Sequence, residues 1–285
     1  MVASRVPTPR LWLLRVACSA IGLFACVACA ARVTPTPGHS HARPPRPPAP
    51  HVPACPPEMV TINGASTDST GGVEILDDFC IDRYEAYVVE IDAEGHESPH
   101  SPYATVDNLT VRAKSAAGVV PQGYISRVQA AKACANAGKR LCRAPEFVYA
   151  CSGGGPSSLY PYGGKTRQPG ACNEGKGSSM VRFFGWDPYK WTDDNFNDPR
   201  LNQWEGGLAR TGSYPACMSP FGIYDCVGNL HEWVDEPDPQ GHGRFRGGFY
   251  GDAELNGPGC TYVTRAHSPT YHDYSTGFRC CAAPN

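Results

Sequence analysis

Apolar and polar positions follow a regular pattern over only short parts of this chain, and the two clearest segments predict helices. Residues 126–137 (SRVQAAKACANA) begin with a serine and carry Gln129 at the third helical position, which is the sequence of a capping box. Gly138 follows as a left-handed stop. A second, shorter helix is predicted from Pro145, whose ring favours a first turn, to Cys151, before three consecutive glycines.

Two strands are predicted near the start of the folded region, over residues 56–62 and 75–85. Cys55 and Cys80 belong to this hairpin-like unit and could cross-link it. Beyond the helices, Gly, Pro, Asn and Asp recur too often for long regular elements. We therefore predict an α+β domain over residues 55–285, in which loops and short strands are held by side-chain networks and disulfides.

Composition narrows the class of protein. The 285 residues carry a formal net charge of −2, and this argues against nucleic acid as a partner, because phosphate binding needs a clustered basic surface. Glycine (31) and proline (28) are frequent, as expected for a loop-rich domain. The 14 cysteines indicate disulfides formed in an oxidising compartment.

The N-terminus predicts export. Arginines precede an uncharged apolar run over residues 16–30, which is shorter than the ~20 residues of a membrane span and has the length of a signal-peptide core. Cys26 and Cys29 both follow sequences that approximate a bacterial lipobox, and a bulky Phe24 counts against Cys26. We expect residues 1–30 to be a signal peptide with lipidation at Cys29. Simple secretion is the alternative.

The next segment, residues 31–54, predicts a tether. Ten of the 28 prolines lie between residues 31 and 57, where core-forming residues are almost absent. Such a sequence samples extended polyproline conformations and acts as a semi-rigid spacer. The expected location is therefore the bacterial cell envelope, with the folded head attached to the membrane through an N-terminal lipid.

One tight loop stands out in the C-terminal third. Residues 221–233 read FGIYDCVGNLHEW, and Asp225, Gly228, Leu230 and Glu232 fall at relative positions 1, 4, 6 and 8. Oxygen atoms could converge in such a loop. An EF-hand is not expected in the Asp/Asn-rich stretch near Asp193, because the sixth and twelfth positions there are Asp and Trp rather than Gly and Glu. A solvated surface loop is expected instead, and a looser calcium loop is the alternative.

The order of the motifs resembles the formylglycine-generating enzyme family, also called the sulfatase-modifying factor family. The matching motifs are FCIDRYE at 79–85, the capped helix followed by AGKRL at 137–141, YACSGG at 149–154, YPYG at 160–163, GIYDCVGNLHEW at 222–233, RGG at 246–248 and GFR at 277–279. The resemblance implies a variant of the C-type-lectin fold with little regular secondary structure. It covers nearly the whole head.

The resemblance gives the tight loop a role as a structural calcium site. Its ligands would be the side chain of Asp225, the carbonyls of Gly228 and Leu230, and the carboxylate of Glu232, with Asn173 belonging to a second site. Calcium prefers such hard oxygen donors. The alternative is a turn whose carboxylates only accept backbone hydrogen bonds.

The resemblance also implies disulfide pairs. Cys134 with Cys280 and Cys151 with Cys260 are carried over from the family. Cys142 is expected to pair with Cys281, because each is one extra cysteine beside a matched pair. Elimination then leaves two further pairs and one unpaired cysteine, which are Cys172–Cys217, Cys55–Cys80 and Cys226.

The resemblance fails at the reactive centre. Active members of the family carry two cysteines shortly after the Arg-Gly-Gly motif, and these bind copper and activate oxygen. Here Asp252 stands in the first position, Phe249 replaces a common serine, and no cysteine occurs before Cys260. Copper and formylglycine generation are therefore not expected.

Three functions remain open from the sequence. The first is a calcium-stabilised binding module, expected to be monomeric, for a protein, peptide or glycan. The second is an oxidoreductase of the same family with a different metal site, for which the candidates are His231, His242, His267, His272 and Asp273. The third is a purely structural envelope protein.

Overall fold

The structure is a computed structural model that describes residues 54–285 except residues 65, 69–72, 156 and 237. The predicted signal peptide, Cys29 and all but the last residue of the predicted tether lie outside the described residues. Within the described part of the chain, no helix is both long enough and apolar enough to cross a membrane.

Regular elements are short, as the sequence predicted, with 18% helix and 22% strand. In the described residues the helices are α1 (Arg127–Asn136), α2 (Ala144–Ser152), α3 (Ser179–Phe184) and α4 (Asp193–Phe196). The strands are β1 (Met59–Ile62), β2 (Ser66–Asp68), β3 (Val73–Ile75), β4 (Phe79–Asp82), β5 (Ala86–Ile91), β6 (Glu97–Pro99), β7 (Val111–Ser115), β8 (Arg140–Leu141), β9 (His231–Val234), β10 (Gly243–Arg246), β11 (Val263–His267), β12 (Thr276–Phe278) and β13 (Cys280–Ala282).

Both predicted helices are confirmed. At the start of α1 the Ser126 hydroxyl accepts a hydrogen bond from the Gln129 backbone N–H, and the Gln129 side chain accepts one from the Ser126 N–H at 2.8 Å. Helix α2 extends one residue beyond the prediction at each end and stops at Gly153, whose φ of 71° is the left-handed conformation that glycine adopts without strain. Local capping chemistry therefore sets the ends of both helices.

The strand predicted over residues 75–85 is shorter in the structure, and this is a correction. Only β4 pairs with β1, antiparallel, while Ile75 belongs to the separate strand β3. The chain leaves the ladder after Asp82 because it turns towards the 221–233 loop, where the Arg83 carbonyl accepts a hydrogen bond from the Tyr224 N–H at 2.9 Å. The end of β4 is thus joined to the candidate site.

Two four-stranded sheets carry the fold. One has the order β1-β4-β13-β8, and the other has the order β11-β10-β9-β12, with β9 and β12 parallel. Strand β9 begins at His231, within the 221–233 loop, so the second sheet fixes the C-terminal end of that loop. The Trp233 indole on β9 is fully buried and donates a hydrogen bond to the Ile125 carbonyl at 2.8 Å, which ties this sheet to the start of α1.

Among the described residues, five disulfides hold the loop-rich parts together, with Cα–Cα distances of 4.8–5.7 Å. The pairs are Cys55–Cys80, Cys134–Cys280, Cys142–Cys281, Cys151–Cys260 and Cys172–Cys217. These are the partners that the sequence analysis expected. Cys226 is left free and buried.

Candidate functional site

The 221–233 loop bends at four residues with positive φ, namely Gly222 (78°), Asp225 (60°), Gly228 (78°) and Asn229 (54°). The loop packs against the segment that contains Asn173. A Cβ atom at Gly228 would lie 2.2 Å from the Asn173 carbonyl oxygen, so only glycine allows this approach. The predicted metal-site residues of the two segments are therefore in direct contact.

Asp225 is buried at the centre of the bend. Its Oδ2 accepts a hydrogen bond from the Gly212 N–H at 2.7 Å, and its own N–H donates to the Cys217 carbonyl at 3.1 Å. Burial raises the pKa of Asp225 to about 6. A carboxylate in this position needs a positive partner to remain ionised at low cost.

Glu232 and Arg279 form an ion pair in the interior, and each side chain is 1% exposed. The Arg279 Nε donates to Glu232 Oε2 at 2.6 Å and the Nη2 donates to Oε1 at 2.7 Å. The same guanidinium donates to the Tyr224 carbonyl at 2.8 Å and to the Asp82 carbonyl at 3.2 Å. Arg279 thereby joins β9, the end of β4 and the loop.

A third carboxylate, Glu85, completes this group, and the sequence analysis did not select it as a site residue. Glu85 is fully buried and accepts hydrogen bonds from the Leu230 N–H at 3.0 Å and from the Asn229 side chain. Burial raises its pKa well above the usual value, and the charges of Asp225 and Glu232 raise it further. No local pattern pointed to Glu85, because its neighbours come from residues far along the chain.

When its carboxylates are ionised, the buried group carries more negative than positive charge. The three carboxylates of Glu85, Asp225 and Glu232 surround a single guanidinium, that of Arg279. Burying unpaired ionised groups is costly, so such groups either take up protons or bind a cation. This charge surplus is the main electrostatic feature of the site.

Asn173 lies beside the bend and is almost fully buried. Its Nδ2 donates to the Gly207 carbonyl and to Asn229 Oδ1, both at 2.9 Å. Its Oδ1 is buried without a hydrogen-bond partner in the described structure. Buried acceptors usually have a partner, so this oxygen is available for a ligand.

The segment after the Arg-Gly-Gly motif is organised by hydrogen bonds. Asp252 Oδ1 accepts from the N–H groups of Glu254 (3.0 Å) and Leu255 (3.1 Å), and its Oδ2 accepts from the Tyr262 hydroxyl at 3.1 Å. Asp252 thus acts as a turn-forming side chain. Cys260, which follows, is bonded to Cys151.

The remaining thiol, Cys226, is buried, and burial raises its pKa to about 12. It is therefore protonated at neutral pH, whereas nucleophilic and metal-binding cysteines are thiolates. Cys226 has the properties of a packed core residue.

The candidate histidines are not brought together as one cluster. His231 packs against Phe245, Phe249 and Tyr262 with ring-centroid distances of 4.4, 4.9 and 5.3 Å, and burial lowers its pKa to about 3. His272 instead contacts Asn197 at 2.8 Å. Among the described residues, the group of three candidate ligands whose atoms lie within 4.8 Å of one another is a different, exposed one, namely Asp92, Glu94 and His96.

Comparison with known proteins identifies the class. The sequence profile of the sulfatase-modifying factor enzyme 1-like domain matches residues 48–284. The chain belongs to this family. The expected α+β fold of the family is thereby confirmed.

Individual relatives are distant. The chain is 29% identical over 118 residues to a mouse protein called formylglycine-generating enzyme, covering 41% of this chain and 27% of the relative. It is 26% identical over 170 residues to the mouse inactive C-alpha-formylglycine-generating enzyme 2, covering 58% of this chain and 49% of the relative. The chain thus spans half or less of the length of these relatives.

Among solved structures, CarF aligns with 81% of this chain and 99% of its own, at 16% identity and a TM-score of 0.44. A variant of the major tropism determinant aligns with 79% of this chain and 55% of its own, at 13% identity and a TM-score of 0.39.

Proposed function

We propose that the folded head is a non-catalytic binding module of the sulfatase-modifying factor family, stabilised by calcium. The proposal rests on the segment after the Arg-Gly-Gly motif, which offers no free thiol. Asp252 stands where the resemblance requires the first thiol and is held in a turn, and Cys260 is bonded to Cys151. One of the distant relatives is itself named inactive.

The donor chemistry supports the same conclusion. Cu(I) is bound by soft thiolate or thioether ligands, whereas a carboxylate such as that of Asp252 is a hard donor. No cysteine lies between Asp252 and Cys260, so this segment supplies no second thiolate either. Copper therefore has no part in the proposed function.

Calcium is proposed for the buried group at the bend. The ligands would come from the side chains of Asp225 and Glu232 and the carbonyls of Gly228 and Leu230. Asn173 was expected in a second site, and because its backbone lies against Gly228 we propose that its side chain adds a ligand here. Each Glu232 oxygen accepts one N–H from Arg279 and retains a second acceptor site. The unpartnered Asn173 oxygen and the surplus negative charge support a hard cation, which would supply the missing positive charge.

Calcium dependence is tested by Asp225→Asn, which removes a charge and keeps the shape of the side chain. The wild-type protein is expected to gain about 2.7 kcal/mol of unfolding free energy at a calcium concentration of about 100 Kd. The variant is expected to lose this gain. Urea unfolding with added calcium and with chelator measures both values.

Glu85→Gln provides the matched control, because it also removes one buried carboxylate but is not a proposed ligand. We expect this variant to keep a saturable calcium response. An equal response in wild type and Asp225→Asn would contradict the site. Stoichiometric iron or copper in the purified protein would favour the oxidoreductase alternative instead.

The non-catalytic role is tested with a cysteine-containing sulfatase peptide. Incubation with the protein, oxygen and either calcium or copper is expected to leave the mass of the peptide unchanged, because no reactive thiol pair is available to oxidise it. An active formylglycine-generating enzyme serves as the positive control. Conversion of the peptide to formylglycine would overturn the proposal.

A further inference from the structure

Two of the most exposed large apolar side chains in the described structure are aromatic and lie close together in sequence. Trp186 is 80% exposed and Tyr189 is 91% exposed. Both belong to residues 185–197, which we call the aromatic–acidic loop. Scattered exposed apolar side chains are ordinary, but adjacent exposed aromatic rings are typical of binding surfaces.

The loop holds the Trp186 ring and the backbone at Tyr189 in a fixed arrangement. The Trp186 and Trp191 rings stack with centroids 6.2 Å apart, and the Trp191 indole donates to the Gly185 carbonyl at 3.1 Å. The Asp187 side chain accepts from the Tyr189 N–H at 3.1 Å, which caps the short turn between them. A partner would therefore find the surface already ordered, and this lowers the entropy cost of binding.

The base of the loop is anchored to the candidate site. Trp191 packs edge-on against Phe196 at 6.2 Å, and Phe196 stacks on the buried Tyr274 at 6.4 Å. Tyr274 in turn packs against Phe249, immediately after the Arg-Gly-Gly motif, at 5.8 Å. The exposed rings are thus continuous with the segment that replaces the family's reactive centre.

The charge of the loop indicates what kind of partner it suits. The carboxylates of the loop are Asp187, Asp193 and Asp194. Asp198, which follows the loop, is paired with Arg200. Within the described part of the chain, none of these three forms an ion pair with lysine or arginine, and the loop itself contributes one lysine. Such a surface suits cationic groups, because a cation can form an ion pair with an exposed carboxylate and a cation–π contact with the face of a Trp or Tyr ring.

A membrane surface fits these charges less well. Interfacial Trp and Tyr side chains do insert at the level of lipid headgroups. However, anionic lipid would repel the carboxylates of Asp187, Asp193 and Asp194, and polybasic rather than acidic segments bind such surfaces. Charge complementarity therefore favours a basic polypeptide.

We infer that the aromatic–acidic loop is the docking surface for a basic polypeptide segment of the protein that the head binds. Arginine or lysine side chains of that segment lie over the exposed rings of Trp186 and Tyr189 and pair with Asp193 and Asp194. The inference rests on the proposed binding role and names the class of partner.

The probe for this inference is a fluorescently labelled synthetic peptide of alternating arginine and glycine. Its counterpart with glutamine in place of arginine controls for charge. The full-length protein is expected to bind the arginine peptide, more weakly at high salt, because exposed charges are screened. The double variant Trp186→Ala/Tyr189→Ala is expected to weaken binding by roughly tenfold or more, as exposed aromatic anchors do.

Two further variants separate charge from general surface effects. Asp193→Asn/Asp194→Asn is expected to weaken binding of the arginine peptide, whereas Leu255→Ala, at a residue that is 83% exposed outside the loop, is expected to leave it unchanged. Equal binding of the glutamine peptide, no binding of either peptide, or binding unaffected by the loop variants would overturn the inference. So would binding only to phospholipid vesicles or to an oligosaccharide.

The outcome is separable from that of the proposed function. A protein that leaves the sulfatase peptide unchanged but fails with the arginine peptide loses this inference and keeps the non-catalytic assignment. A protein that oxidises the sulfatase peptide loses the proposed function, whatever the loop binds.

Discussion

Replacement of Arg279 by methionine is expected to lower the free energy of unfolding by roughly 3–5 kcal/mol. The guanidinium is 1% exposed and is the cation of a group that contains Glu85, Asp225 and Glu232. Its removal leaves the three buried carboxylates without this positive charge. It also leaves the Tyr224 carbonyl without the hydrogen-bond donor that Arg279 supplies. Urea unfolding with chelated calcium at neutral pH measures the loss.

The double variant Arg279→Met/Glu232→Gln is the matched control, because it removes both charges of the pair. It is expected to recover part of the loss, since an unpaired buried charge costs more than a missing ion pair. If Arg279→Met lost less than about 1 kcal/mol of unfolding free energy, the Glu232–Arg279 pair would contribute no more than a surface salt bridge does. That result would contradict its burial.

The same variant carries a pH signature. Burial holds the pKa values of Glu85 and Asp225 above their usual values, to about 6 for Asp225. A folded-state pKa above the unfolded value means that folding takes up protons, so stability rises as the pH falls. The stability of Arg279→Met with chelated calcium is therefore expected to rise from neutral pH to about pH 5.

Removal of both C-terminal disulfides is expected to cost more than the sum of the two single removals. Cys134–Cys280 and Cys142–Cys281 close loops of 146 and 139 residues between neighbouring positions. While one bridge remains, the other closes only a short additional loop, worth roughly 2–3 kcal/mol in the chain-entropy account. Loss of both also opens the larger loop that these bridges close together with Cys151–Cys260, which adds about 4 kcal/mol in the same account.

Paired Cys→Ala variants test this coupling by urea unfolding under non-reducing conditions. Cys55→Ala/Cys80→Ala is the control, because that bridge closes a separate 25-residue loop. Its effect is expected to add to that of either C-terminal pair. Additive losses for the two C-terminal bridges would contradict the shared-loop explanation.

The parts of the fold that were predicted correctly depend on local chemistry. The start of α1 follows from Ser126 and Gln129, which are three residues apart, and the end of α2 follows from Gly153. The strand over residues 75–85 was predicted too long because its end is set by a contact that is distant in sequence. Its end depends on Tyr224, about 140 residues farther along the chain, and no local pattern contains that contact.

The candidate site likewise has features that local sequence predicts and features that depend on contacts between distant segments. The sequence by itself determined the family and the 221–233 loop, because motifs in order and glycine at tight bends are properties of short segments. The disulfide partners were implied by the resemblance to that family. The tertiary structure alone decided that Glu85 joins Asp225 and Glu232 around Arg279, and that Trp186 and Tyr189 are exposed. Burial and charge balance arise only when distant segments meet, and so they have no signature along the chain.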